Sequence, residues 1–267
     1  MNKKNIIIFT LFLGLFFYVF TNINEEHPIN NYDTSSTQEK KIFSTSFESV
    51  DDFKWFYITP QSYKNTTFHE LSESIVHSGK FSHKAWIKWE NPTSTTMTNN
   101  NHRGYPTIQF NKTEWGILES PVYVTFWVWL DMDLNTSHDW WENDWFSFAT
   151  FTDDESDRWK RTVLVNLSHD WFVHLMHTTD RWEKEYIFQT SSIKFPQKEW
   201  VELKVYLDFS DNSYAKVWQN WELVSHANIW NIKNRLAQAH FGMYSPPKMT
   251  SGIVYNDDLK IEMVDGE

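Results

Sequence analysis

Residues 122–131 read Val122-Tyr-Val-Thr-Phe-Trp-Val-Trp-Leu-Asp131, and this stretch decides the fold. β-Branched and aromatic side chains fill it, with no glycine or proline to interrupt them. Such residues lose rotamer freedom in a helix but pack well on a pleated surface, so the stretch reads as a strand. The same character returns at short intervals in both directions. Ile42–Phe47, Phe81–Trp89 and Tyr105–Phe110 precede it. Trp145–Phe151, Arg161–Leu167, Phe172–His177, Tyr186–Gln189, Trp200–Phe209, Tyr214–Gln219, Leu236–Tyr244 and Gly252–Met263 follow. Nothing after residue 42 sustains the apolar spacing of an amphipathic helix, and no repeat or break in composition divides residues 42–267. About a dozen strands in that length predict one all-β domain, a sandwich or jelly roll.

One turn resists the pattern. Lys216–Gln219 and Glu222–Ser225 read as hairpin arms around Asn220-Trp221, where a two-residue turn favours Asn-Gly. A Trp at a left-handed backbone angle costs on the order of 1 kcal/mol. Either the turn is of another type, or Trp221 gains something there.

Composition excludes several classes of function. The chain has no cysteine, which removes disulfides, thiolate metal sites and a cysteine nucleophile. With 24 Lys+Arg against 35 Asp+Glu the net charge is −11, which argues against a nucleic-acid binder. Aromatic residues make up 18% of the chain, more than surface positions need, so most are expected in the core. Trp127 and Trp129, in the middle of a very apolar run, are read that way.

The amino terminus indicates the compartment. Lys3 and Lys4 precede the apolar run Ile6–Phe20, and the polar segment Thr21–Glu26 follows. That order belongs to a secretory signal, so residues 1–24 are read as a signal peptide or a membrane anchor. Either outcome leaves the remaining chain outside the cytoplasm, because the positive residues stay inside. Loss of residues 1–24 leaves 22 basic against 35 acidic side chains, a charge of −13. Residues 25–41 are polar and aperiodic, a linker, and residues 42–267 form the β domain.

Side chains along a strand alternate between its two faces. In Gln238-Ala-His240-Phe-Gly242-Met-Tyr244, the residues Gln238, His240 and Tyr244 therefore share one face, while Ala239, Phe241 and Met243 suit a core. In His102-Arg103-Gly-Tyr105-Pro-Thr107-Ile-Gln109, the residues Arg103, Tyr105, Thr107 and Gln109 share a face, with Pro106 alternatively marking an edge strand. Arg103 offers a planar fork that matches a carboxylate. Lys160-Arg161, Asn166 and Trp171-Phe-Val-His174-Leu-Met-His177 supply a third polar group. His174 and His177 are three apart, on opposite faces of a strand, so they do not share a metal and one of them is structural.

These strands carry a resemblance. Gln238-x-His240-x-Gly242-x-Tyr244 is similar to the Tyr-x-Lys-x-Gly-x-Tyr strand near the C-terminus of alginate-lyase-type polysaccharide lyases. Arg103-x-Tyr105 through Gln109 is similar to the Arg-x-Glu-x-x-Arg-type strand near their N-terminus. Tyr255-Asn-Asp-Asp258-Leu-Lys-Ile261 resembles the last strand of concanavalin A-like jelly rolls. The likeness is to strand pattern and order across roughly residues 42–264. It departs at His240, where the family has Lys, at Gln238, where it has Tyr, and in the family's central Gln-x-His strand, for which His174 is the nearest counterpart.

The resemblance implies a concanavalin A-like jelly roll and β-elimination on a uronic-acid polymer. Arg103 and Gln109 would neutralise the uronate carboxylate, His174 or His240 would serve as base, and Tyr244 as acid or as both. Tyr105, Gln238, Arg161, Asn166 and Trp218 would line the substrate. No metal or organic cofactor is required, the expected partner is a polysaccharide, and a monomer is expected. Two rivals stand beside this reading. A glycoside hydrolase needs paired carboxylates, and Glu142-Asn-Asp144 and Glu155-Ser-Asp157 are poor candidates in polar loops. A non-catalytic glycan-binding module needs only sugar-stacking rings, for which Trp86, Trp89, Trp127, Trp129, Trp145, Trp218 and Trp230 are candidates.

Overall fold

Burial resolves the alternation along Val122–Met132. Val122, Val124, Phe126, Val128, Leu130 and Met132 are at most 3% exposed, while the intervening Tyr123, Thr125, Trp127, Trp129 and Asp131 are half-buried on the other side. The computed structural model describes residues 41–53, 56–58, 62–63, 65–90, 101–134, 145–156, 158–179, 184–187, 192–229 and 233–265. The predicted signal or anchor, linker residues 25–40, Glu142-Asn-Asp144 and Trp230 lie outside them.

In chain order the described strands are β1 (Ile42–Thr45), β2 (Phe56–Ile58), β3 (Ser62–Tyr63), β4 (Thr67–Ser72), β5 (Ser82–Ile87), β6 (His102–Gly104), β7 (Pro106–Gln109), β8 (Leu118–Glu119), β9 (Val122–Met132) and β10 (Trp145–Thr152). They continue as β11 (Thr162–Ser168), β12 (Val173–Thr178), β13 (Lys184–Ile187), β14 (Trp200–Asp208), β15 (Tyr214–Gln219), β16 (Glu222–Asn228), β17 (Arg235–Leu236), β18 (Gln238–Ser245) and β19 (Gly252–Met263). Among the described residues, helix is confined to 3-10 turns at Val50–Phe53 and Phe110–Lys112.

The strands build two large antiparallel sheets and a small two-stranded one, β17-β8. One runs β16-β15-β14-β9-β19-β5-β4-β3, with β1 alongside the second half of β19. The other runs β13-β12-β11-β10-β18-β7-β2, with β6 alongside the end of β18. The chain passes from the first sheet to the second between β9 and β10, back between β13 and β14, and again at β17–β19. That wrapping makes the domain a jelly-roll β-sandwich. The inner faces meet in one core, where Phe126 of β9 packs edge-on against Phe241 of β18 with ring centroids 5.2 Å apart. Each apolar side chain fully withdrawn from water there contributes about 1.5–3 kcal/mol.

Every expected strand has a counterpart in these sheets. The strands the sequence did not announce, β2, β3, β4, β6, β8 and β17, are mostly too short to show a period. Two expectations are corrected. Trp127 and Trp129 are not core residues, because Phe126, Val128 and Leu130 take the inward parity and leave the indoles on the outer face. There His77 stacks on Trp127 at 3.9 Å, and Tyr255 meets Trp129 edge-on at 5.4 Å. Strand β7 is not an edge, since it lies between β18 and β2. Pro106 is tolerated because it occupies the first position of the strand.

The hairpin question is answered by the backbone. Asn220 and Trp221 have φ of 46° and 70°, so both central residues are left-handed, as a type I′ turn requires. Asn220 is anchored to β14: its N–H donates to the Glu202 carbonyl and its Oδ1 accepts from the Glu202 N–H, each at 2.9 Å. Trp221 is 72% exposed and so takes no burial in return for its strained angle. Trp221→Gly restores the favoured Asn-Gly pair. It is expected to raise stability by roughly 0.5–1 kcal/mol, the gain being limited by the freedom that glycine adds to the unfolded chain. Urea unfolding of the two proteins measures this, and a loss of stability would show that Trp221 makes contacts its exposure does not suggest.

Candidate active site

Cross-strand partners point to the same face of a sheet. The register of the β18 sheet therefore sets out three transverse rows on the side away from the core. The first is His174–Asn166–Ser147–Tyr244–Arg103, the second Met176–Leu164–Thr150–His240–Thr107, and the third Thr178–Thr162–Thr152–Gln238–Gln109. The opposite parity, with Phe151, Val163, Val165, Leu175, Ala239, Phe241 and Met243, belongs to the core. His177 pairs with Val163 and shares that inner side, so His174 is the groove-facing histidine of the pair. The three rows are polar yet recessed: Asn166 and His174 are 2% exposed and His240 is 6%.

Glycine shapes the centre of the site. Gly242 has φ of +119°, and a Cβ on it would lie 2.7 Å from the Gly104 carbonyl oxygen. No L side chain fits there without a backbone shift. With the irregular register opposite Ser147–Ala149, this lets β18 bend between its two functional residues. The His240 and Tyr244 rings, four residues apart, come to 5.8 Å between centroids.

His240 is enclosed by aromatic rings. Tyr105 stacks flat on it at 3.9 Å and 11°, Trp159 covers it at 4.9 Å, and Tyr244 meets it edge-on. Burial, assisted by the Arg103 charge, pushes its pKa down to about 3. The imidazole is therefore neutral at ordinary pH. Neither of its nitrogens has a hydrogen-bond partner among the described residues, nor do Thr150 Oγ1 in the same row and Asn166 Oδ1 in the first. Buried polar atoms without partners are rare, and each costs about 1–3 kcal/mol, so those on this recessed face make it a candidate ligand-facing surface. Tyr244 Oη accepts a hydrogen bond from Asn101 Nδ2 at 3.2 Å, and Trp145 lies edge-on to its ring at 5.1 Å.

The remaining candidates separate from this centre. Gln109 Nε2 donates to Gln238 Oε1 at 3.2 Å, and Lys112 donates to Gln109 Oε1. Gln238 Nε2 in turn donates to the Asp154 and Ser156 carbonyls at 2.6 and 3.1 Å. The two amides tie the third row to the 153–161 loop. Arg161 lies in that loop, with Nε 3.6 Å from Asp153 Oδ1. His174 shares the Tyr244 row but stands three strands away, about 14 Å at the usual strand spacing. Burial pushes its pKa down to about 4. Trp218 is a correction: it belongs to β15 in the other sheet, pairs with Lys204 and faces away from the groove. Trp159 was not foreseen, because a loop ring that folds onto a strand leaves no periodic trace. Among the described residues, no group of three or more His, Asp or Glu side chains is arranged to hold a metal ion.

No family model and no curated protein matches this chain in sequence. Solved structures share its fold. An endo-β-1,4-glucuronan lyase from the fungus Trichoderma reesei is similar over 83% of this chain and 95% of its own, at a TM-score of 0.58 and 10% identity. The cellulose-induced protein Cip1 covers 82% and 96%, at 0.55 and 15% identity. The alginate lyase Aly36B covers 85% and 98%, at 0.50 and 10% identity. The jelly-roll sandwich is thus shared with two polysaccharide lyases that are each 10% identical to this chain in sequence.

The buried histidines make stability depend on pH. The unfolded chain takes up a proton at each histidine as pH falls through about 6.5, whereas folded His240 and His174 hold out to about 3 and about 4. Between those limits the unfolded state binds more protons, so stability falls with pH by up to about 1.4 kcal/mol per unit for each group. Asp257 opposes this between its ordinary value and about 6, because burial raises its pKa and the folded form keeps the proton. The net expectation is a loss of at least about 2 kcal/mol between pH 7 and pH 5 in urea unfolding. His240→Phe should remove about 2 kcal/mol of that difference, and a parent protein equally stable at both pH values would refute the neutral, buried histidines.

Proposed function

We propose that this chain is a secreted polysaccharide lyase that cleaves a uronic-acid-containing glycan by β-elimination. The observation that carries the reading is the convergence on one recessed face of Arg103, Tyr244 and His240, whose neutral ring has no hydrogen-bond partner among the described residues. Two structures of the same fold are named as lyases of glucuronan and alginate, both uronate polymers, which supports the same substrate class. The order Lys3-Lys4, apolar run and polar exit supports export.

The chemistry follows from the charges. The C5–H of a uronate is weakly acidic, and removing its proton builds negative charge on the neighbouring carboxylate. Arg103 binds that carboxylate through its planar fork, and a neutral His240 N–H donates to the same developing charge. With a conjugate acid pKa of about 3, His240 is too weak a base to take the proton itself. Tyr244 Oη is the group assigned to the proton transfer: as the phenolate it takes the C5 proton, and the phenol so formed gives that proton to the glycosidic O4, which returns the phenolate. As the C5–H bond breaks, its electrons form the C4=C5 double bond and the C4–O4 bond opens, with no water consumed. Trp145 and Trp159 flank the reacting sugar, and Asn166 and His174 line the groove further along. A hydrolase is disfavoured because no carboxylate stands in the three rows.

The product carries a double bond conjugated to its carboxylate and absorbs in the ultraviolet. Incubation with a panel of uronate polymers should give a rise in that absorbance, whereas a glycan-binding module gives none. Tyr244→Phe should lower turnover on the order of 10²-fold or more, since it removes one acid/base group and keeps the shape. Arg103→Ala should lower it through loss of charge neutralisation. Unchanged turnover in Tyr244→Phe would reject its role, and reducing ends released without absorbance would reject the lyase.

A further inference from the structure

We propose that the outer face of the β9 sheet, centred on Trp218 and Lys204, is a second binding surface for an acidic polysaccharide chain, separate from the groove of the β18 sheet. The register sets Trp218 beside Leu223 on one side and Lys204 on the other, with Thr125 and Lys260 continuing the same transverse row. Tyr123 stands in the neighbouring row, its ring 6.2 Å from that of Trp218. Lys204 Nζ lies 3.9 Å from the Tyr123 ring centroid, and Lys216 Nζ lies 6.0 Å from that of Trp218.

The charges on this face select the ligand. Lys260 is paired with Glu262 at 2.6 Å, and Glu202 flanks Lys204 two residues along β14. Lys204 makes no ion pair with a carboxylate among the described residues. Half-buried rings interleaved with ammonium groups are a local exception in a chain of net charge −11. Rings stack on the apolar faces of sugars while the ammonium groups meet carboxylates, so the combination fits a uronate polymer better than a neutral glycan. The overall negative charge disfavours nucleic acid.

The adjoining hairpin gives independent support. Trp221 is held at a left-handed angle with 72% of its surface exposed, and Leu223, beside Trp218, is 37% exposed. A strained and uncovered Trp gains nothing within the monomer, whereas as the rim of a sugar-binding surface it has a purpose. A second site on the same molecule would keep a long polymer near the groove and raise its effective concentration there.

The polyuronate identity rests on the reading of the groove, so the test measures binding rather than turnover. The full chain carrying Tyr244→Phe is run through native gels containing polyglucuronate, alginate or a neutral glucan. The two acidic polymers should retard it and the neutral one should not. Trp218→Ala and Lys204→Glu should each weaken retardation at least fivefold. Trp221→Gly should weaken it at least twofold while leaving the fold intact. Lys204→Glu removes the ammonium over Tyr123 but leaves the core untouched, so it keeps the test valid if Trp218→Ala fails to fold. Absence of retardation, equal retardation by neutral glucan, or retardation insensitive to both Trp218→Ala and Lys204→Glu would overturn the proposal. No lyase activity from the chain with Tyr244 intact, together with Trp218-dependent retardation, would sink the groove reading alone, and activity of that chain together with retardation indifferent to both variants would sink the second surface alone.

Discussion

The burial of Ala239, Phe241 and Met243 against the β9 sheet is the constraint on which the candidate site depends. Because strand side chains alternate, fixing those three inward turns Gln238, His240 and Tyr244 outward together. A slip of one residue would put an imidazole and a phenol into the core and three apolar groups into the groove. Many kilocalories of apolar burial therefore hold the register, and the polar constellation is held with it. Gly242 adds the local bend that brings two of those outward residues within contact of each other.

Electrostatics then sets the protonation state of the histidine in the groove. His240, closed in by Tyr105, Trp159 and Tyr244, is kept neutral by its surroundings, and the nearby Arg103 charge pushes it further in that direction. A buried neutral imidazole beside a guanidinium donates hydrogen bonds and does not take protons at ordinary pH. In the proposed reaction the proton transfer therefore falls to Tyr244 and not to His240. The Gln109–Gln238 pair spends its hydrogen bonds on the 153–161 loop, which carries Trp159 over the ring. Those amides act on the site through the loop they hold.

The two sheets expose faces of different character. The outward side of the β18 sheet is polar and recessed, with unpartnered atoms facing inward to the groove. The outward side of the β9 sheet is aromatic and half-exposed, covered in part by long cationic chains such as Lys84 over Trp86 and Lys204 over Tyr123. This arrangement accounts for an aromatic content too high for the core alone. Several of the rings belong to the outer face of one sheet, where the stems of neighbouring lysines cover part of their apolar surface.

The sequence by itself determined the all-β class, most of the longer strands, and the shared face of Gln238, His240 and Tyr244, because period-two alternation is a local property that survives in one dimension. It also separated His174 from His177 by parity. What it did not determine was which sheet each strand joins. Trp218 reads as well for a groove as for an outer face, and the decision lies in the crossing from β13 to β14, which sets β14 beside β9 and takes the β14–β15 pair into the other sheet. The outward parity of Trp127 and Trp129 is not legible in the sequence for a related reason: large apolar or aromatic residues stand on both parities of Val122–Asp131, so composition alone does not reveal which parity faces inward. The closeness of Trp159 to His240, the distance of His174 from Tyr244 and the pairing of Gln109 with Gln238 were decided only by the tertiary structure. Each depends on how strands far apart in sequence align side by side, and that alignment is fixed by packing across the whole sandwich.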